Sequence, residues 1–165
     1  MRISSLAHEP AFAAEIANIY YNEWGWHYAE EWGLPDAPSI ETDLRANYMS
    51  DTFVLVNSQD TLVGTVALLA EDLRCCSQLT PWLTCLYVKP EHRNRGYGRM
   101  LISYALTRHA TSLPISTRAN SIARKVYLWA YEKTTHDWYV MNGWVPDRTL
   151  VYRGNPAYVL SFATM

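Results

Sequence analysis

The sequence predicts an α/β (α+β) fold, with a single mixed, mostly antiparallel sheet flanked by helices in one domain over residues 1–165. The chain has 165 residues, of which 49% are hydrophobic and 18% charged, enough to bury one sizeable core. Apolar side chains recur at helical spacing near the N-terminus, whereas short segments rich in Val, Leu and Thr follow. One strand–helix–strand crossover then precedes further strands, which indicates a mixed sheet.

Helical spacing and end signals place the helices. Ser39 is a plausible N-cap for the second, and Gly143 ends the fourth at the C′ position. Between the first two, Gly25–Pro38 is predicted to be a loop or broken helix because glycine and proline interrupt it. The predicted helices are Ala11–Trp24, Ser39 to about Met49, Gly98–His109 and His136–Asn142, with an extra short helix over Ser116–Arg124.

Runs of β-branched and aromatic residues between turn signals place the strands. Ser58-Gln59-Asp60 predicts one hairpin turn, and Gly154-Asn155-Pro156 predicts another near the C-terminus. The predicted strands are Met1–Leu6, Thr52–Asn57, Leu62–Ala70, Trp82–Val88, Lys125–Ala130, Thr149–Tyr152 and Ala157–Ala163.

Charge and cysteine usage exclude several classes of protein. The net charge of −2 and pI near 6.2 argue against a general nucleic-acid or membrane-surface binder. Met1–Pro10 lacks the apolar core of a signal peptide, and the three cysteines lack a C-x-x-C spacing. Reduced thiols in a cytoplasmic protein are therefore expected. The histidines show no metal-ligand spacing, so no metal is predicted and surface histidines are expected.

The segment Leu86–Arg99 contains the main candidate binding site. An apolar strand runs into a charged turn, and then Gly96 and Gly98 open an amphipathic helix. Such a junction presents several free backbone N–H groups at the positive end of the helix dipole. Arginine side chains at 93, 95 and 99 add permanent positive charge. The segment is therefore predicted to hold a small, multiply charged anion, with a pyrophosphate as the leading candidate.

Two familiar phosphate-binding motifs do not fit this turn. The dinucleotide fingerprint needs a third glycine where Leu101 stands, and a Walker A loop needs G-K-[ST] where Gly98 is followed by Arg99. A plain glycine turn between strand and helix is the alternative. The coincidence of an apolar strand, Pro90, three arginines and a following helix disfavours it.

The pattern Leu86-x-Val88-x-Pro90-x-x-Arg93-x-x-Gly96-x-Gly98 resembles the signature of the GNAT superfamily of acyl-CoA-dependent N-acyltransferases, whose core is Q/R-x-x-G-x-G/A. Tyr139–Trp144 is similar to that family's Y-x-x-x-G-F segment, with Trp in place of Phe. Three short segments further resemble a bacterial subgroup whose substrates are generally unassigned: Thr80-Pro81-Trp82-Leu83, Asn22-Glu23-Trp24-Gly25 and Gly143-Trp144. Ala110–Arg124 is longer than is usual in the family, which leaves the path of the chain there open.

The resemblance implies acetyl-CoA as co-substrate. The turn amides would bind its pyrophosphate, with close backbone approach at the two glycines. The backbone of the preceding strand, splayed from its neighbour, would pair with the pantetheine arm. The cofactor-binding residues implied are Leu86, Tyr87, Val88, Arg93, Asn94, Arg95, Gly96, Tyr97, Gly98 and Arg99.

The resemblance also implies catalytic roles. Tyr139 matches the family tyrosine that acts as general acid toward the departing sulfur, and a backbone N–H near Leu86 would stabilise the oxyanion. The alternative for Tyr139 is a structural role, as a tyrosine that packs on a short helix. The central strand Trp82–Val88 holds no carboxylate, so the base is open. As a hypothesis, Glu23 or Asp72 attracts the substrate ammonium and water removes its proton.

The function expected is transfer of an acetyl group to a primary amine of a small molecule, peptide or protein by direct attack in a ternary complex. The resemblance implies that the aromatic segment Tyr20–Trp32 covers the acceptor site, and the faces of its rings would suit an amine. A non-catalytic acyl-CoA sensor is the first alternative, and a nucleic-acid-binding turn is the second, disfavoured by the net acidic charge. The C-terminal strands Thr149–Ala163 could pair across a homodimer.

Overall fold

The computed structural model describes residues 1–113 and 124–164. The helices are α1 (Ala13–Trp32), α2 (Ala37–Asn47), α3 (Tyr97–Ser112) and α4 (Lys133–Met141). The strands are β1 (Arg2–Ser5), β2 (Thr52–Val56), β3 (Leu62–Leu69), β4 (Trp82–Val88), β5 (Lys125–Ala130), β6 (Val145–Tyr152) and β7 (Asn155–Ala163). Short 3₁₀ turns cover Leu6–His8, Pro10–Phe12, Arg74–Cys76 and Pro90–His92.

The strands form a seven-stranded sheet in the order β1-β2-β3-β4-β5-β7-β6. The pairs β1–β2, β2–β3, β5–β7 and β6–β7 are antiparallel, whereas β4–β5 is parallel and places Trp82 opposite Tyr127. A parallel pair needs a long crossover, which the α3 region supplies between β4 and β5. The predicted mixed α/β fold with one mostly antiparallel sheet and flanking helices is confirmed.

The chain divides into two compact units. The first comprises Met1–Leu69 with Cys85–Ala105, and the second comprises Ala70–Thr84 with Leu106–Met165. In the first unit, α1 and α2 pack with the buried strands β2 and β3, and its core includes Ile16. In the second unit, the core surrounds Trp82, whose indole Nε1 donates to the Leu79 carbonyl at 2.7 Å.

The first helix is longer than predicted. Of the two alternatives predicted for Gly25–Pro38, a loop or a broken helix, the first half is the broken helix: α1 continues to Trp32 beyond a break at Trp24, where the angles are non-helical (φ −135°, ψ 23°). A helix-interior glycine costs about 1 kcal/mol. Aromatic packing offsets this cost: the Tyr20 and Tyr28 rings stack across the break at 5.9 Å. The helix ends at Gly33, whose φ of +69° is left-handed.

The predicted N-cap of the second helix is also wrong. Asp36 is the N-cap, and its carboxylate accepts from the Ser39 N–H at 2.8 Å. The Asp36 N–H in turn donates to Ser39 Oγ at 3.2 Å, so the two residues form a reciprocal capping box. Pro38 lies in the first turn, where its missing N–H costs no helical hydrogen bond.

Other differences lie at element ends. β4 and β5 have their predicted bounds, but α4 begins earlier, at Lys133, and β6 begins at Val145. The expectation of surface histidines is wrong for His27, which is buried and packs edge-on against Trp26. The predicted short helix over Ser116–Arg124 lies, except for Arg124, outside the described residues. No helix in the described ranges is both long and apolar enough to cross a membrane.

Candidate active site

The turn after β4 is fixed by backbone hydrogen bonds up to Arg93. The Lys89 N–H donates to the Val63 carbonyl of β3 at 3.0 Å, which ties the strand end to its neighbour. The His92 N–H then donates to the Lys89 carbonyl at 2.9 Å, and the Arg93 N–H to the Pro90 carbonyl at 3.2 Å. This short 3₁₀ turn aims the following residues out of the strand direction.

Residues 94–99 follow this turn and lead into α3. In the ranges that the structure describes, the N–H groups of residues 94–99 donate no hydrogen bond, and the first bond into α3 is Met100 N–H to the Gly96 carbonyl at 3.1 Å. Asn94 (φ +61°) and Gly96 (φ +82°) take left-handed conformations. A Cβ at Gly96 would meet no atom within 4 Å, so the surface there is open. The segment is a set of unpartnered donors at a helix N-terminus, an arrangement that suits an anion.

Arg93 differs from the other two arginines of this segment. Arg95 and Arg99 are exposed and carry their charge beside the unpartnered amides. The Arg93 side chain instead turns back: its Nε donates to the Val88 carbonyl at 2.9 Å, and its guanidinium lies 5.5 Å from the centre of the Tyr87 ring. Because the Arg93 N–H is also bonded, to the Pro90 carbonyl, the unpartnered donors of the predicted segment Arg93–Arg99 begin at Asn94.

The end of β4 presents one backbone edge away from β3. Lys89 donates its N–H toward β3, and the Tyr87 carbonyl also faces that strand, since a Cβ at Gly64 would lie 2.5 Å from its oxygen. Backbone groups alternate sides along a strand. The N–H and C=O groups of Leu86 and Val88 therefore face the opposite side.

Cys85 interrupts β4 with a left-handed backbone (φ +53°). A non-glycine residue in this region marks a bulge or local strain, features that are frequent next to active sites. Its Sγ lies 3.2 Å from the Tyr28 hydroxyl of α1. Nearby, the Tyr20 hydroxyl lies 3.4 Å from Thr65 Oγ1, and burial raises the pKa of Tyr20 above its usual value.

Tyr139 lies near the end of α4 in the second unit. Its ring packs edge-on against Trp144 at 5.8 Å, and its carbonyl accepts the N–H groups of Asn142 and Trp144 at 2.9 and 3.1 Å. Gly143, with φ +89°, makes this tight helix end possible. Burial raises the pKa of Tyr139, so its phenol stays protonated at neutral pH. Within the described ranges its hydroxyl has no hydrogen-bond partner.

The two candidate carboxylates have different surroundings. Glu23 is exposed on α1, one residue before the break at Trp24, and its side chain makes no hydrogen bond with the described part of the chain. Asp72 is buried, and its Oδ2 accepts from the Trp129 indole N–H at 2.7 Å. Glu23 and the segment Leu86–Arg99 belong to the first unit, whereas Asp72 and Tyr139 belong to the second.

A family model for the GNAT acetyltransferases matches residues 14–128. The chain belongs to the GNAT acetyltransferase family. A comparison with curated protein sequences found no significant match. The matched range includes the strand β4 and the amide segment 94–99 described above.

Solved structures share the fold of this GNAT chain. An aminoglycoside 6′-N-acetyltransferase complexed with coenzyme A superposes with a TM-score of 0.67 at 17% identity, covering 100% of this chain and 98% of the other. A spermidine N-acetyltransferase from Vibrio cholerae in complex with CoA and spermine gives 0.64 at 18%, covering 99% and 95%. An N-acetyltransferase from Staphylococcus aureus Mu50 gives 0.71 at 12%, covering 98% and 100%.

Two features of this GNAT site were not predicted. The contact of the Arg93 side chain with the Val88 carbonyl has only a weak sequence signal. The arginine stands five residues after Val88, and a turn that contains Pro90 lies between the two. The left-handed Cys85 has none, because cysteine carries no preference for that conformation. Among the described residues, no three His, Cys, Asp or Glu side chains are grouped to hold a metal ion.

Proposed function

We propose that this GNAT chain, acting as one domain, transfers the acetyl group of acetyl-CoA to a primary amine by direct attack in a ternary complex. The observation that carries the proposal is the run of unpartnered N–H groups at residues 94–99, placed at the start of α3 and beside the outward edge of β4. In a GNAT protein this arrangement suits an extended cofactor that ends in a diphosphate.

The cofactor arm and its diphosphate would use different parts of this segment. The amides of residues 94–99 would hydrogen-bond the diphosphate, with Arg95 and Arg99 supplying opposite charge. The open surface at Gly96 allows the close approach that such bonds need. The amide groups of the pantetheine arm would pair with the outward backbone of Leu86 and Val88, as an added strand does.

The chemistry requires three events. The amine nitrogen, once neutral, attacks the thioester carbon and forms the C–N bond, which places negative charge on the carbonyl oxygen. A backbone N–H near Leu86 would stabilise that oxyanion. The C–S bond then breaks, the nitrogen loses its proton to water, and the departing sulfur takes a hydrogen bond or proton from Tyr139.

Tyr139 suits the role of donor because its surroundings keep it neutral. Burial raises its pKa, so the hydroxyl retains its proton across the pH range in which an amine becomes neutral. A thiol has an ordinary pKa of about 8.5, below that of this phenol. The hydroxyl therefore stabilises the thiolate mainly through a hydrogen bond, with full proton transfer following from solvent.

The acceptor is proposed to be a cationic or neutral primary amine. Two of the similar folds are an aminoglycoside and a spermidine N-acetyltransferase, and both names denote amines. In this chain, Glu23 or Asp72 would attract the ammonium form, and the aromatic segment Tyr20–Trp32 would cover the acceptor. A cytoplasmic location and a homodimer stay predictions.

The proposal is tested by following thiol release from acetyl-CoA in the presence of a panel of primary amines, with calorimetry of CoA binding alongside. We expect CoA to bind and at least one polyamine, aminoglycoside or peptide amine to raise thiol release above the rate without acceptor. CoA binding with no release for any amine would favour the acyl-CoA sensor instead. Absence of CoA binding would overturn the proposal.

The two carboxylates are distinguished by matched isosteric changes. We expect Glu23→Gln to raise KM for the amine about threefold, as loss of an exposed charge does, with the free energy of unfolding unchanged. We expect Asp72→Asn to lower the free energy of unfolding by about 1 kcal/mol, because Trp129 then donates to a neutral oxygen. The KM for the amine measures the effect of Glu23→Gln, and urea unfolding measures the effect of Asp72→Asn. An unchanged KM in Glu23→Gln at every pH removes Glu23 from the site.

A further inference from the structure

The second unit holds a cluster of three aromatic rings and one carboxylate. Trp129 lies on β5, Tyr131 directly follows that strand, and Tyr152 ends β6. The centre of the Trp129 ring lies 4.5 Å from that of Tyr131 and 5.4 Å from that of Tyr152. Asp72 joins them, because its Oδ2 accepts from the Trp129 indole N–H at 2.7 Å. These four residues form the Trp129 cluster.

The strand register brings the three rings together. Trp129 pairs with Val159 of β7, and Ala157 lies two residues from Val159 on the same face. Ala157 is fully buried and has no side chain beyond Cβ, so Tyr131 and Tyr152 meet above β7 with ring centres 6.3 Å apart and planes at 29°. Trp129 stands at 80° and 71° to these two planes. The rings therefore present two nearly perpendicular surfaces, the arrangement of an aromatic cage.

Both parts of the Trp129 cluster attract positive charge. The face of an aromatic ring is negative, and one cation already lies there, since Cζ of Arg153 is 5.4 Å from the centre of the Tyr152 ring. Asp72 is buried, where a low dielectric strengthens the attraction between opposite charges. Trp129 and Tyr131 are only half-buried, so a small ligand can reach their rings. An alkylammonium group suits this chemistry, because its N–H groups donate to the carboxylate and its methylene groups pack on the rings.

An ammonium group held in this cluster cannot be the nucleophile. The opposite charge and the ring faces favour its charged form and so raise the pKa of the bound amine. The nitrogen that attacks a thioester must instead be neutral, with its lone pair available. An ammonium group bound here therefore belongs to a part of the acceptor that does not react.

We propose that the Trp129 cluster binds a second, non-reacting ammonium group of the acceptor, which makes the acceptor a diamine or polyamine and not a monoamine. The inference rests on the proposed function. Asp72 supplies the opposite charge, and the rings of Trp129 and Tyr131 select an alkylammonium end over an uncharged end of the same length.

The first test compares matched amines in the unmodified protein. Linear diamines of three to six carbons, and the monoamines of the same chain lengths, are assayed by thiol release from acetyl-CoA. We expect the KM of the best diamine to be about 30-fold lower than that of its matched monoamine, the size of effect that a desolvated cation on a ring gives. Equal KM values within every matched pair overturn the inference.

Variants in the rings show whether the cluster itself makes the selection. We expect Tyr131→Leu to raise the diamine KM about tenfold and to leave the monoamine KM and CoA affinity within twofold, whereas Tyr131→Phe keeps the ring face and the diamine KM. Tyr158→Leu is the matched control. Tyr158 lies between Ala157 and Val159 on β7, so its ring is on the opposite face, where it packs on His136 at 5.1 Å. This variant should leave the ratio of the two KM values within twofold.

A direct binding measurement needs neither acetyl transfer nor a variant. N,N-Dimethylbutylamine carries an ammonium group but forms no stable amide, and butanol is its neutral counterpart. We expect the amine, and not the alcohol, to shift the Trp129 indole N–H resonance in NMR spectra, because that N–H is bonded to Asp72. The same amine should inhibit acetylation of the diamine competitively. An unshifted indole resonance overturns the inference even if Tyr131→Leu does not fold.

The outcomes separate this inference from the proposed function. If amines are acetylated but Tyr131→Leu raises the KM of diamine and monoamine equally, Tyr131 acts only through packing. The inference then fails, and the proposed function stands. Failure of every amine to be acetylated overturns the proposed function and this inference together.

Discussion

Replacing Tyr139 with Phe is expected to lower kcat for acetyl transfer about 100-fold, the lower end of what a positioned acid contributes. The change removes one hydroxyl from a buried ring and leaves its packing against Trp144 intact. Because that hydroxyl bonds to no described residue, the free energy of unfolding should stay within about 0.5 kcal/mol. Steady-state thiol release and thermal unfolding measure the two effects.

A matched variant isolates the role of the hydroxyl. Tyr104 lies on α3 with its ring 5.3 Å from that of Phe53, and Tyr104→Phe makes the same chemical change away from the proposed chemistry. We expect it to keep kcat within twofold. CoA affinity should be unchanged in both variants, because neither hydroxyl belongs to the backbone N–H groups of residues 94–99 that are proposed to bind the diphosphate. Equal kcat for Tyr139→Phe and the unmodified protein would remove Tyr139 as the donor.

The pH profile offers a second check on Tyr139. Burial raises its pKa, so the phenol stays protonated well past the ordinary value of about 10. A loss of rate between pH 8 and 10 should therefore not come from its ionisation. If Tyr139→Phe abolishes an alkaline fall in kcat that the unmodified protein shows, the phenol ionises in that range and this account of its environment is wrong.

Local patterns along the chain predict much of this fold. β4 and β5 have their predicted bounds because a short apolar run between turn residues has few alternative conformations. The amide segment was predictable for a similar reason, since Gly96 needs a left-handed backbone and a helix start leaves its first donors unpaired. These features depend on neighbours within a few residues.

Features decided by packing were not predictable in the same way. Gly25 predicts a helix end by propensity, yet α1 continues because Tyr20 and Tyr28 stack across the break. Asp36 and Ser39 lie three residues apart, and either residue type can cap a helix. The reciprocal hydrogen bonds between them make Asp36 the N-cap and place Ser39 in the first turn. The return of Arg93 to Val88 depends on side-chain geometry that no periodicity encodes.

Gly64 connects the packing of β3 to the geometry of the site. A Cβ at this position would lie 2.5 Å from the Tyr87 carbonyl oxygen, 3.1 Å from Leu101 Cδ1 and 3.4 Å from Val88 Cα. The first distance is to backbone, which cannot rotate away as a side chain can. Tyr87 and Val88 are also the residues over which Arg93 folds and along which the cofactor arm is proposed to lie.

Gly64→Ala is therefore expected to lower the free energy of unfolding by about 3 kcal/mol, because β3 and β4 must separate to admit one methyl group. The melting temperature should fall by about 10 °C for a chain of this length. CoA should bind about tenfold more weakly as well, since the displaced part of β4 is joined to the amide segment 94–99 by one short hydrogen-bonded turn. Thermal unfolding and CoA calorimetry measure the two effects.

Gly33→Ala is the control for this change. Gly33 has a left-handed backbone (φ +69°), but a Cβ there would meet no atom within 4 Å, so the variant suffers backbone strain without a clash. Strain alone costs about 1 kcal/mol and should leave CoA affinity unchanged. If Gly64→Ala destabilises the chain no more than Gly33→Ala does, the close approach of β3 to Tyr87 does not constrain the end of β4. A loss of CoA affinity confined to Gly64→Ala would instead tie the shape of that strand end to cofactor binding.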